Sequence, residues 1–448
     1  MFDRQHLHVI ISTISGGAGN LLATVGPLLT TPIILPYIGD FRYGVWMMLL
    51  SINALLGLSD FGVANGVITP LSQLRNDVIQ RRKLISNVYA VLWLLFVGLL
   101  IVVAVVVLLL SQGSRWSSEG VKFSFVMSIF LPTLITVPLA FINRLLYIDM
   151  RGSIAGLSPG FSSLFSVVIA FAGTWARLPP DVLLLLFLSS SPITYFCMSV
   201  YYFGQQPELR PRPKDFELQQ AKLILRSGLR FLPLSLLVIL CNRIDYVIVG
   251  KVNGVGAVVP YAIADRLVGI VTYVATILSA ALWPVFASEI KKANFAWVRS
   301  TLIKTNVVTV FCYLIFMLLM VWKYDAFVGL WLHRRIETPA ALLIFLCLSS
   351  LALTLSAPYF ALANSLGAVR QQMIAYLLLL SIGLPGKFLL GSKYGATGVA
   401  MGAFISWALI MWPAIMFLSN AQLRKAENAD IDRRKRRVPD TECGALSR

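Results

Sequence analysis

Charge is scarce in this sequence. Of 448 residues only 13% are Asp, Glu, Lys or Arg, against about 25% in an average soluble domain. Acids are the rarer sign, 20 against 38 Lys and Arg. Histidine occurs three times, as His6, His8 and His333, too few and too scattered for a His-based metal centre or proton relay. The five cysteines, Cys197, Cys241, Cys312, Cys347 and Cys443, stand singly. None has a neighbour at metal-ligand or redox spacing, so they read as small core hydrophobes and imply no disulfide. There is no GxxxxGK[ST] phosphate loop and no HExxH, and no polar stretch is long enough to house a nucleotide. ATP hydrolysis by this chain, and covalent chemistry in a loop dense with acids and bases, are therefore not expected.

What is abundant is apolar sequence, 58% of the chain. A spanning helix needs about 20 apolar residues. That ruler finds twelve runs, roughly 13–37, 44–67, 84–110, 121–147, 154–175, 181–203, 228–250, 257–286, 303–322, 340–364, 371–391 and 396–419. Backbone polar groups in lipid must be paired within the segment or in a closed barrel, and runs this long and apolar mean helices. The expected fold class is an all-α polytopic membrane protein. Met1–Val9 is short and polar and no small-residue cleavage site follows, so the first run is expected to stay as a signal-anchor.

The net charge of +18 suits anionic lipid and topology better than nucleic acid, which is not expected as a partner. With the N-terminus in the cytoplasm, most Lys and Arg fall in cytoplasmic segments, as the positive-inside rule requires. These include Arg75–Lys83 (RNDVIQRRK), the Pro- and charge-rich stretch Gly204–Ser227, SEIKKANFAWVRS, and the RRKRR cluster at 433–437. Residues 215–226 have amphipathic spacing (Phe216, Leu218, Leu223, Leu225) and are expected to lie along the inner leaflet. This polar stretch divides the chain into an N-terminal half over 1–210 and a C-terminal half over 211–420, six spans each, followed by a basic tail over 421–448. A weak repeat supports the division: IGDFRYGVW after the first span, VGKVNGVGAVV after the seventh.

Few polar groups lie inside the spans, and at bilayer depth each costs at least a few kcal/mol unless paired or used. Arg243, Asp245, Asp265 and Arg266 cluster in the seventh and eighth spans. They form either an inter-helix ion-pair network or a substrate or coupling-ion site. On one continuous helix Arg243 and Asp245 would point about 200° apart. Asn53 falls near mid-membrane in the second span, Asp60 near its cytoplasmic end, and Arg144 close to the cytoplasmic end of the fourth. Asp60 reads as a capping or coupling carboxylate. Arg144 reads as a snorkelling or substrate-binding cation. Lys387, near the outer end of the eleventh span, is expected to snorkel.

Several stretches resemble the polysaccharide-transporter branch of the multidrug/oligosaccharidyl-lipid/polysaccharide exporter superfamily. They are Tyr37-Ile38-Gly39, Tyr43-Gly44-Val45-Trp46 and Leu58-Ser59-Asp60-Phe61-Gly62; Arg243-Ile244-Asp245-Tyr246-Val247-Ile248-Val249-Gly250 with Tyr261-Ala262-Ile263-Ala264; Trp283-Pro284-Val285-Phe286; and Tyr394-Gly395-Ala396-Thr397-Gly398-Val399-Ala400. One departure is the longer loop KVNGVGAVV. The resemblance implies twelve helices in two six-helix bundles around a central cavity. It also implies alternating access that moves a polyprenyl-diphosphate-linked oligosaccharide to the outer leaflet of the cytoplasmic membrane, for O-antigen or exopolysaccharide assembly. Arg243 and Arg266, with Arg144 and Asn53, become the candidate substrate contacts. Asp245, Asp265 and Asp60 become the candidate coupling-ion or ion-pair groups. No cofactor is implied beyond a coupling proton or sodium ion; a polysaccharide polymerase or export machinery and anionic lipids are the implied partners. The alternatives are a cation-coupled multidrug exporter, disfavoured because no acid lies between Thr13 and Tyr37, and a membrane polysaccharide polymerase, disfavoured by the short outer loops.

Overall fold

The computed structural model describes residues 4–56, 60–74, 77–111, 122–229 and 232–437. These are helical nearly throughout, with no strand among them. Among the described residues, nine helical stretches are long and apolar enough to cross a membrane by length and composition. The expected twelve passages emerge once three features of that set are considered. Asp40–Leu56 has 17 residues, about 25 Å of helix at 1.5 Å per residue, and counts as passage 2. Leu232–Arg243 and Asp245–Asn253 are two helices in succession that together make passage 7. The stretch Val369–Asp432 is two passages, because Gly395 sits inside it at φ 68, ψ −148, a conformation open in practice to glycine alone. Passages 11 and 12 therefore meet at the Tyr394-Gly395 pair. The others are Arg4–Ile38, Val78–Ser111, Phe123–Ile148, Gly152–Trp175 and Pro180–Gln205 (passages 1, 3, 4, 5 and 6), then Val258–Lys291, Phe295–Leu332 and Ala340–Ser365 (passages 8, 9 and 10). The chain is an all-α polytopic membrane protein.

Surface apolarity agrees with that reading. Along passage 3, Leu94, Ile101, Val102 and Leu109 are exposed, and along passage 9 Val307, Phe311, Leu318 and Trp322 are exposed. Apolar faces this long are not left to water by soluble domains.

The chain falls into two compact units, Met1–Ile263 with Asp325–Ile336, and Ala264–Tyr324 with Glu337–Arg448. In the first, passages 1 and 5 pack backbone to backbone along small residues. A Cβ on Gly19 would collide with the Gly156 carbonyl, and one on Gly156 with the backbone of Gly16. Such close approach is the usual use of glycine in membrane helices. The end of passage 7 and the turn after it lie against passage 2: Gly44 meets Val255 and Gly250 meets Met48. Gly254, at φ 82, makes that turn. The two stretches read as a repeat in the sequence thus pack on each other. A buried cluster that includes Val63, Leu71, Ile85, Tyr89, Phe141, Leu145 and Tyr202 fills one end of this unit.

Passage 1 carries Pro27, Pro32 and Pro36 inside its helix. Pro32 has no N–H, which frees the Leu28 carbonyl four residues earlier. The indole Nε1 of Trp331 donates to that carbonyl at 2.7 Å, and Arg334 in the same segment pairs with Asp40 at 2.6 Å. We expect W331F to destabilise the protein by about 1–3 kcal/mol, the cost of a carbonyl left unpaired away from water. R334A, at a half-exposed pair, should cost at most about 1 kcal/mol. Thermal unfolding in detergent checks both; equal, negligible shifts would contradict the assignment.

In the second unit a core of Phe286, Phe295, Val298, Leu302, Tyr359, Leu362, Ile415 and Leu423 forms around passages 8, 9, 10 and 12. Passages 11 and 12 each carry a π-helical stretch, Leu379–Gly383 and Ser406–Met411, and Gly383 lies directly against Ser406. Lys387 does not snorkel as its sequence position suggests. It is 5% exposed, because Gly402 lets passage 12 close onto its backbone and stem. Passage 12 also outruns the apolar span: the helix continues to Arg437, and Glu427 pairs with Arg299 of passage 9. Cys443 and the end of the tail lie outside the described residues, as do Arg75, Leu58 and Ser59.

Candidate functional site

The first unit contains a cavity of about 360 Å³. Its walls come from five places in the chain: Gly16 and Asn20 of passage 1; Asp60 and Ala64 after passage 2; Thr133, Thr136, Asn143, Arg144 and Tyr147 of passage 4; Gly156 and Pro159 of passage 5; and Tyr195 of passage 6. Two local features open it. Gly156 has no Cβ where one would meet the backbone of Gly16, and Gly16 itself faces open space. Passage 4 breaks at Ala140, after Pro132 and Pro138, into Phe123–Leu139 and Phe141–Ile148. Pro132 and Pro138 have no N–H to give the Ser128 and Leu134 carbonyls four residues earlier, and the Thr136 hydroxyl donates to the Pro132 carbonyl at 2.7 Å.

Two of the sequence candidates line this cavity, Asp60 and Arg144. Asp60 is not in a continuous second span, as the 44–67 run suggested. Passage 2 is helical to Leu56, and Asp60 lies in a turn before the short helix Val63–Gly66. Phe61 and Gly62 both take positive φ there, 48° and 75°, which no helix allows. The carboxylate closes that turn: Oδ1 accepts from the Gly62 N–H at 2.9 Å and Oδ2 from the Ala64 N–H at 3.3 Å. This is the capping use of an aspartate.

Arg144 is half-buried and forms no ion pair among the described residues. Its neighbours are neutral. Asn143 and Ser158 exchange hydrogen bonds at 3.3 and 3.4 Å, and Tyr195 interacts with both and lies beside Arg144. Four residues from the end of passage 4, Arg144 lies about 6 Å from that end. The cavity thus offers one guanidinium among amide, hydroxyl and phenol groups, together with the Asp60 carboxylate, whose two oxygens accept from backbone N–H groups. Guanidinium forks bind phosphate oxygens two at a time, and the neutral donors and acceptors suit a polyol.

Asn53 is one step behind the wall. It is 7% exposed, and its Nδ2 donates at 2.6 Å to Oγ1 of Thr133, which lines the cavity. Arg243 and Asp245 lie elsewhere in the same unit, at the break in passage 7. Arg243 falls in the last turn of one helix and Asp245 in the first turn of the next. A cation at a helix C-terminus and an anion at an N-terminus both meet the favourable end of the macrodipole. The 200° separation assumed one unbroken helix, which the structure does not have; Ile244 stands between two helices. Arg243 is exposed, and Asp245 accepts from the Tyr261 hydroxyl at 3.4 Å. Asp265 and Arg266, both partly buried, belong to the second unit.

Sequence reasoning missed a buried charge cluster. Arg81 pairs with Asp149 at 2.7 Å, with side chains 6% and 7% exposed. The Tyr202 hydroxyl donates to the other Asp149 oxygen at 2.6 Å and accepts from Arg81 at 3.3 Å. Arg81 had been absorbed into a basic loop; the only available signal was an acid placed just beyond the apolar run of passage 4.

Comparison with known proteins agrees with this architecture. The MatE family profile matches residues 234–389. A Yersinia pseudotuberculosis protein named for O-antigen export is 22% identical over 301 residues, 65% of this chain and 68% of that protein. A Salmonella typhi protein named as an O-antigen transporter is 20% identical over 62% of this chain and 65% of its own length. The alignments thus span about two thirds of these relatives. Among solved structures, the lipid II flippase MurJ in an inward closed conformation superposes with a TM-score of 0.69 at 14% identity, covering 96% of this chain and 90% of that one. The Vibrio cholerae MATE transporter VcmN in its bent form gives 0.58 at 16% identity, covering 95% and 98%. An inward-facing multidrug resistance MATE family transporter of the MOP superfamily gives 0.62 at 14% identity, covering 92% and 96%. The ordered motifs, the MatE segment and the O-antigen relatives point one way, and in sequence and helical fold this chain is similar to transporters of the multidrug/oligosaccharidyl-lipid/polysaccharide exporter superfamily.

Proposed function

We propose that this protein is a flippase that moves a polyprenyl-diphosphate-linked oligosaccharide from the cytoplasmic to the outer leaflet of the inner membrane by alternating access, with both termini in the cytoplasm. It acts as a transporter rather than an enzyme, and serves surface polysaccharide assembly. The observation that carries this reading is the cavity of the first unit, with Arg144 among neutral hydrogen-bonding groups near one end of passage 4. The diphosphate of a polyprenyl lipid sits at headgroup depth, which is the depth of Arg144. The sugar attached to it needs what Asn20, Asn143, Thr133 and Tyr195 supply. The names of the two relatives support the same substrate class. Arg243 in the first unit and, separately, Arg266 in the second keep their assignment as candidate diphosphate contacts, and Asp245 and Asp265 theirs as coupling or ion-pair groups.

The test is the outward appearance of labelled lipid-linked sugar in cells depleted of the protein. Depletion should stop it while the labelled intermediate accumulates inside. Unchanged appearance would sink the reading.

The rival is a cation-coupled multidrug exporter, which the fold likeness to multidrug transporters keeps in view. Passage 1 has no acid between Arg4 and Ile38, so a coupling ion in this cavity would fall to the acid of the lining, Asp60. Both its oxygens are already committed to backbone N–H groups, which favours the flippase.

A further inference from the structure

The polar stretch between passages 6 and 7 is held by protein on one side only. Asp215 accepts from Arg82 at 2.9 Å. Asn87, fully buried, donates to the Asp215 carbonyl at 2.9 Å and accepts from the Glu217 N–H at 2.8 Å. The Arg212 N–H donates to Ser86 Oγ at 3.0 Å. The stretch therefore crosses passage 3 at residues 82–87, where Arg81-Arg82-Lys83 gives way to an unbroken apolar run from residue 88 onward. That boundary is the level of a bilayer surface.

The helix Leu218–Gly228 starts at that level. Ala221 and Ile224 face the protein at 7% and 5% exposure, and Ile224 joins the buried cluster of the first unit. The opposite face is open. Leu218 is 60% exposed and Leu223 67%, with exposed Lys222 and Arg226 between them on the helical wheel. At 100° per residue these four span an arc of about 140°. Phe216, 43% exposed, extends the apolar part, and Arg212 and Lys214 extend the basic part. The one acid beside them, Glu217, is paired with Lys83 at 3.4 Å. Two leucines flanking a basic stripe, at the height where an apolar span begins, match an anionic lipid surface in both charge and depth. A water-facing helix would have no use for the leucines, and a protein partner would need no such coincidence of depth.

We propose that this face is a docking surface for anionic phospholipid: Leu218, Leu223 and Phe216 enter the interfacial zone of the inner leaflet while Lys222 and Arg226 hold headgroup phosphates. The stretch joining the two halves of the sequence is thereby clamped between passage 3 and lipid. This inference stands apart from the identity of the transported substrate.

The test uses the full chain in lipid nanodiscs. An environment-sensitive dye is placed at L223C, or in a second variant at L218C, with the native cysteines replaced by serine. Quenching is read with headgroup-proximal spin-labelled phosphatidylglycerol and with the same label on phosphatidylcholine. Preferential quenching by the anionic lipid is expected, and K222Q/R226Q should cut that preference by roughly fivefold per residue. The unlabelled protein gives an independent readout: the number of phosphatidylglycerol molecules retained in native mass spectrometry should fall with K222Q/R226Q. Equal quenching by both lipids, no quenching by either, or lipid retention unmoved by K222Q/R226Q would overturn the proposal. A dye shielded from water yet silent to both lipids would assign the face to a protein partner instead.

Discussion

Replacing Arg144 with alanine should lower the rate of lipid-linked sugar translocation by about tenfold or more while the protein remains folded and inserted. The size follows from losing charge-assisted hydrogen bonds to phosphate, about 1.5–3 kcal/mol each. Nothing in the structure makes Arg144 a structural pin: no ion pair joins it to the described residues, and it stands at the wall of a cavity. R144K keeps the charge but loses the planar fork, so partial activity is expected. The measurement is translocation in proteoliposomes, normalised to inserted protein. If R144A reduces abundance and activity together, Arg144 serves packing and the site lies elsewhere. D60N supplies the contrast. Asparagine keeps an oxygen for one backbone N–H of the turn, so a flippase should tolerate D60N with little change, whereas an exporter coupled through Asp60 should lose most of its activity.

The membrane architecture was legible because lipid imposes a rule that sequence cannot evade: about 20 apolar residues for each crossing. All twelve passages were visible that way, although the structure places Asp60 in a turn outside passage 2 and extends passage 12 to Arg437. What failed was geometry set by a few residues. Phe61 and Gly62, both at positive φ, take Asp60 out of a helix. A break at Ile244 puts Arg243 and Asp245 on two helix ends instead of one helix face. Lys387 lies near the outer end of its apolar run, where a lysine can snorkel, but Gly402 across from it closes the gap. The site was half legible. Arg144 and Asp60 could be named as single polar residues near span ends, but the neutral groups around them come from passage 4 itself and from three other places in the chain, passages 1, 5 and 6. Asn20, Thr133 and Tyr195 carry no sequence mark that separates them from packing residues in a membrane helix.

Asp149 carries the largest expected effect on stability. D149A would leave the Arg81 guanidinium buried with Tyr202 as its remaining partner, and its Nε already has none. Breaking a buried pair from one side costs about 3–5 kcal/mol, so D149A should unfold at markedly lower temperature in detergent and accumulate poorly in membranes. The position explains the leverage. Asp149 follows the last helical residue of passage 4, and the chain turns through Met150 at φ 59 into passage 5. Arg81 begins passage 3 and Tyr202 nears the end of passage 6. One carboxylate therefore ties the ends of three passages and fixes the turn into a fourth. D149N keeps an acceptor for the Tyr202 hydroxyl and should cost less than D149A. The double variant R81M/D149L should recover much of the loss, because replacing both partners removes the uncompensated charge that makes single removal costly. Recovery would show that the pair's main effect is to keep each charge from being buried alone. A double variant as unstable as D149A would mean instead that the cluster's hydrogen-bond geometry, and not charge compensation, sets the junction of these passages.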